Sequence, residues 1–101
     1  MASTAPMHFN SARFEIARNS TSQQAKELRS RVRQSLEEGE RHLVVDCEAW
    51  QQLDLSVLSS LIQCAAACKH EGASFEVANL SSTMQANVRA LQLGGRLGLA
   101  D

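Results

Sequence analysis

Apolar residues recur along the chain at two spacings, and the switches between them mark the elements. Ahead of the first regular pattern stands Phe9, and Ala12-Arg13-Phe14-Glu15-Ile16-Ala17 then alternates apolar and polar residues at the two-residue period of a strand. A hairpin or paired strands are expected there. Asn19-Ser20-Thr21-Ser22 supplies side chains suited to capping a helix, and Ala25, Leu28, Val32 and Leu36 follow at offsets of three and four. The pattern predicts an amphipathic helix ending near Gly39, with Lys26, Arg29, Arg31, Arg33 and Glu37 on a solvated outer face.

His42-Leu43-Val44-Val45-Asp46-Cys47 is a run of branched apolar residues closed by an acidic one, which predicts a central strand buried on both faces. After a connection from Glu48 to Leu53, Asp54 opens the best-patterned helix: Val57, Leu58, Leu61, Ile62, Ala65 and Cys68 trace one stripe, and Gly72 stops it. Ser74-Phe75-Glu76-Val77-Ala78-Asn79 alternates again. Ser81 and Ser82 then open a third helix with Met84, Val88 and Leu91 inward and Gly94-Gly95 at its close. Strand, helix, strand and helix joined by short links make the strands at 42–47 and 74–78 parallel, with a right-handed crossover between them. The expected fold class is therefore α/β, a small mixed open β-sheet with about three to four helices packed on it.

A length of 101 residues suits one domain, expected over 9–101 behind a flexible N-terminus at 1–8. The net charge is −1 and the two signs are interspersed, so the basic footprint of a nucleic-acid binder is missing. The longest apolar run, Cys64-Ala65-Ala66-Ala67-Cys68, is far short of the roughly 20 residues that span a bilayer. Met1-Ala2-Ser3-Thr4-Ala5-Pro6 has no basic start followed by an apolar run. These features predict a cytoplasmic protein with neither nucleic acid nor membrane among its partners. Cys47, Cys64 and Cys68 cannot all pair within one chain, and free thiols fit a reducing compartment.

Catalytic constellations are hard to assemble from this inventory. His8, His42 and His70 fall at a chain end, a strand start and a helix end, so no nucleophile gains a base and an orienting group. Gly94-Gly95 follows a helix, whereas phosphate-cradling loops precede one. Cys64 and Cys68 share a helix face and are two potential metal ligands, but no second pair accompanies them. No catalytic residue, metal or cofactor is expected, and the chain reads as a non-enzyme. Trp50, in the loop before Asp54, suits a loop anchor and an exposed contact equally. Asp54 can cap the central helix, which puts Ser56 in its first turn near the surface; by residue type alone, Ser56 is first of all a helix-start residue.

The order of elements, with Leu43-Val44-Val45-Asp46, Leu53-Asp54-Leu55-Ser56-Val57-Leu58 and Gly72-Ala73-Ser74-Phe75-Glu76-Val77-Ala78-Asn79-Leu80, resembles the STAS domain of bacterial anti-sigma factor antagonists over about residues 12 to 99. In that family the central strand ends in Asp, and a second Asp opens a motif written Asp-Ser-Ser-Gly-Leu. Asp54 matches the motif's Asp, Ser56 its second Ser and Leu58 its Leu, so the resemblance implies that Ser56 is a phosphoacceptor. Leu55 stands where the first Ser would be, Val57 where the Gly would be, and Arg18 where the preceding strand often ends in Gly.

The resemblance implies partner switching. The unmodified domain binds a serine kinase that doubles as an anti-sigma factor, phosphorylation of Ser56 releases it, and a cognate phosphoserine phosphatase resets the cycle. Asp54, Leu55, Ser56, Val57 and Trp50 are the expected partner-binding residues, and the free protein is expected to be a monomer. The alternative is a constitutive STAS subunit docking on a transporter ATPase of the lipid-transport type, which the more apolar Leu55 and Val57 would suit.

Overall fold

A computed structural model describes residues 11–18 and 21–99. Strand β1 (Ser11–Glu15) is followed by α1 (Ser22–Glu37), β2 (His42–Asp46), α2 (Leu55–His70), β3 (Ser74–Ala78), α3 (Ser82–Ala90) and a 3₁₀ turn (Gly94–Leu97). Phe9 and the expected flexible segment 1–8 lie outside the described residues, as does any strand that would complete a hairpin there.

The three described strands form one parallel sheet in the order β1-β2-β3. Register aligns Ala12 with Leu43 and Phe75, then Phe14 with Val45 and Val77. In a parallel ladder such partners point to the same side, so these six side chains make one apolar face. Leu43 and Val45 are fully buried beneath the helices, together with Val32, Leu61 and Met84. Each such side chain contributes about 1.5–3 kcal/mol of burial.

The other face differs from the sequence expectation for β2. Arg13, His42, Ser74 and Glu76 are exposed there, and Val44 between them is only half-buried. The described helices pack on a single face, so the strand is buried on one side only. The run of valines resembled a doubly covered strand because Val44 occupies the centre of the open face.

Thr21 caps α1 in a capping box: Gln24 N donates to the Thr21 hydroxyl at 3.3 Å, and Thr21 N donates to Gln24 Oε1 at 2.8 Å. Helices α1 and α2 end before Gly39 (φ +93°) and Gly72 (φ +75°), left-handed positions where a side chain would be strained. The third helix departs from expectation at its end. It stops at Ala90, and Gln92 (φ +62°) makes the left-handed turn two residues before the glycines. That turn rotates Leu91 outward, leaving it 44% exposed rather than inward, while Gly94-Gly95 begin the 3₁₀ turn.

No described helix is long and apolar enough to cross a membrane.

Candidate functional site

Each described helix follows a parallel strand, so the starts of α1, α2 and α3 all lie at the edge of the sheet where the strands end. Asp46, the last residue of β2, organises this edge. Its carboxylate accepts from Arg13 Nη2 at 2.8 Å, from Glu48 N at 2.9 Å and from Asn79 Nδ2 at 3.2 Å. The Glu48 amide, then Arg13 and Asn79, hold the carboxyl below its ordinary range. Asn79 adopts φ +60°, a left-handed conformation that Asn tolerates better than most residues. One carboxylate thus ties the middle of β1, the end of β2 and the residue after β3 together.

From Asp46 the chain turns through Cys47, whose carbonyl accepts from Trp50 N at 3.0 Å. Trp50 is 1% exposed, which resolves its two readings in favour of the loop anchor and removes it from the expected partner-binding set. Its Nε1 finds no acceptor among the described residues, so the indole holds the connection by packing.

Asp54 then caps α2 in extended conformation, its Oδ1 accepting from Val57 N at 3.1 Å. The first turn divides sharply. Leu55 is 68% exposed and Ser56 is exposed, whereas Val57 and Leu58 are 1% and 2% exposed. Val57 therefore does not face a partner as expected. Its place directly over the Asp54 cap directs it into the core, against the groove that Ile16, Ala25 and Leu28 also line. Of the five expected contact residues, Leu55 and Ser56 present their side chains outward, and Asp54 is half-buried beneath them.

One turn further on lies a residue that the sequence reading missed. Ser60 is fully buried, and its hydroxyl donates to the Ala25 carbonyl of α1 at 2.6 Å. The signal was its position on the inward stripe with Val57 and Cys64, where a small polar residue permits close helix approach. Cys64 and Cys68 pack below it as small core residues. Burial pushes the Cys64 thiol up to about 12, with Cys68 adding to the rise, and burial with the neighbouring Asp46 charge does the same for Cys47. Such thiols stay protonated and poorly reactive.

Among the described residues no three metal-ligating groups gather. His42 Nδ1 lies 2.7 Å from the Ser74 hydroxyl, a pair that the sequence did not suggest. It stands at the strand starts, the opposite edge from the α2 turn, and Ser74 Oγ also reaches the Arg41 carbonyl at 3.3 Å.

The sequence matches the family model described as "Mlab, STAS domain" over residues 3–100. The fold superposes on the NMR structure of the protein TM1081 with a TM-score of 0.79 at 10% identity, covering 94% of this chain and 77% of that one. At such identity the likeness concerns the fold alone. No curated protein matches the sequence.

Proposed function

The chain belongs to the STAS domain family, and from that membership we propose that it is a non-enzymatic regulatory module whose α2 start docks a protein partner, with Ser56 as a phosphorylated switch. The observation that carries this reading is the division of the first turn: Leu55 and Ser56 point outward while Val57 and Leu58 anchor the same turn in the core. A rigid base under an exposed leucine and hydroxyl suits recognition.

The chemistry of modification is favourable within the domain and unfavourable across an interface. A phosphate adds about −1.5 to −2 charge, which the free N–H groups and dipole at a helix start accommodate. An apolar partner surface over Leu55 would strip water from that charge and from Asp54 two residues away, and so oppose it by desolvation and strengthened repulsion. Affinity changes while the fold persists. The partner in this scheme is a serine kinase that doubles as an anti-sigma factor, and a phosphatase restores the unmodified form.

A second reading, constitutive docking on a transporter ATPase, is favoured by one feature. Leu55 replaces a polar motif residue and is the most exposed of the large apolar side chains described. Incubation with the candidate kinase and ATP, followed by mass-spectrometric mapping, tests the first reading. Phosphate on Ser56 is the expected result. Modification elsewhere, or none, contradicts the switch, and equal partner binding by Ser56→Asp and Ser56→Ala would favour constitutive docking.

A further inference from the structure

We infer that the groove between α1 and α2 extends the docking turn and receives an acidic helical segment of the partner. The inference rests on the docking reading of the α2 start and names the chemistry of what binds beside it.

The Ser60 to Ala25 hydrogen bond, at 2.6 Å, fixes where the two helices meet. Below it both run in the same direction, because Arg29 shares a cleft with Cys64, and Leu36 shares the next with His70. Helical periodicity then puts Lys26, Arg29 and Arg33 on the flank of α1 that faces α2. It puts Ser56, Gln63 and Ala67 on the flank of α2 that faces α1. The switch residue and the basic row border the same seam between the helices.

That groove has depth as well as charge. A cleft of about 110 Å³ is lined by Arg29, Val32, Arg33, Gln63, Cys64 and Ala67. A second, of about 330 Å³, shares Arg33 and Ala67 and continues past Leu36 to His70. Arg29 and Arg33 line the end nearer Ser56, with Val32, Cys64 and Ala67 beneath, while Glu37 and Glu71 line the far end. From Ser56 to His70 the seam between the helices is about 21 Å long at the helical rise, about four turns, and the clefts occupy its part from Gln63 to His70.

Charge complementarity selects the occupant. Neither Lys26, Arg29 nor Arg33 forms an ion pair among the described residues. Arg31, on the opposite flank of α1, is engaged instead, 5.3 Å from the centre of the Phe14 ring. In a chain of net charge −1, an uncompensated basic row beside an apolar floor fits a segment with carboxylates at the Ser56 end and apolar residues beneath. A phosphate on Ser56 would place its charge at the head of the same row and compete with those carboxylates. The groove thereby gives the switch an attractive component to cancel.

The test uses an amphipathic helical peptide of about four turns, with Leu on one face and Glu in its first turns, and a twin carrying Lys in place of Glu. Each is titrated into the isotope-labelled full chain and followed by NMR amide shifts. The Glu peptide should move Arg29, Arg33, Gln63 and Ala67. Arg29→Glu combined with Arg33→Glu should weaken it by about tenfold, and the exposed single change Arg33→Gln, which spares the core, by about threefold. Equal binding of both peptides, shifts confined to other surfaces, or unchanged affinity in the charge-reversed form overturns the inference. Ser56→Asp separates the two parts of the inference: undiminished Glu-peptide binding contradicts the competition from a Ser56 charge and leaves the groove standing. Partner binding that is lost in Leu55→Glu but indifferent to Arg29 and Arg33 contradicts the groove and leaves the docking turn.

Discussion

Helices α2 and α3 begin at the same edge of the sheet and are capped alike. Asp54 accepts from Val57 N at 3.1 Å, and Ser81 accepts from Met84 N at 3.1 Å. In both, the residue at that amide is buried, Val57 at 1% and Met84 at 0% exposure. The two positions between cap and anchor differ: Leu55 and Ser56 in α2, Ser82 and Thr83 in α3, all four exposed. A helix start needs a cap and an anchor but not an exposed leucine. The α3 start therefore serves as an internal control for the docking role proposed for α2.

Replacing the buried residue that leads into each helix should have the largest effect. Trp50→Ala should cost about 3–5 kcal/mol and Leu80→Ala about 2–5 kcal/mol in chemical denaturation. A loss under 1 kcal/mol for Trp50 would contradict its role as an anchor. The caps come next. Asp54→Ala and Ser81→Ala should each cost about 1 kcal/mol, yet only the Asp54 change should also weaken partner binding. Equal loss of binding by both would reduce the α2 start to an ordinary helix terminus.

The Asp46 network supports both junctions, and its effect is read from pH. Because the folded state holds this carboxyl below its ordinary value of 3.8, the unfolded chain takes up protons more readily in acid. The stabilisation is present above that ordinary value and is lost as pH falls through the lower folded one. Arg13→Ala should flatten this part of the stability profile, measured as denaturation midpoints at a series of acidic pH values. An unchanged profile would contradict the assignment. The smallest change in stability belongs to Leu55→Ser, which makes α2 start like α3 and should stay within about 0.5 kcal/mol of the parent. Its effect should be on binding.

The helices were legible because their anchors recur at three and four residues and their caps are Thr21, Asp54 and Ser81. The end of α3 was not, since the left-handed turn falls on Gln92, a residue with no special preference for it, ahead of two adjacent glycines. The open face of β2 was hidden for a similar reason: Val44 has the side chain of a buried residue whichever face it occupies. At the site, Asp54 and Ser56 could be placed by capping chemistry alone. Which of Leu55, Val57 and Trp50 faces outward depends on the angle at which the connection from Asp46 enters the helix, and that is set by tertiary packing. Ser60 escaped because its partner, the Ala25 carbonyl, lies 35 residues away in the chain.

In the proposed scheme the first turn of α2, and not helix starts in general, recognises the partner and is switched by negative charge. Ser56→Asp and Thr83→Asp place the same charge at equivalent positions of the two helices, so their affinities for the proposed kinase partner provide the most direct test. Binding should be about tenfold weaker or more for Ser56→Asp and of parental affinity for Thr83→Asp. Equal affinities for the two would contradict the scheme.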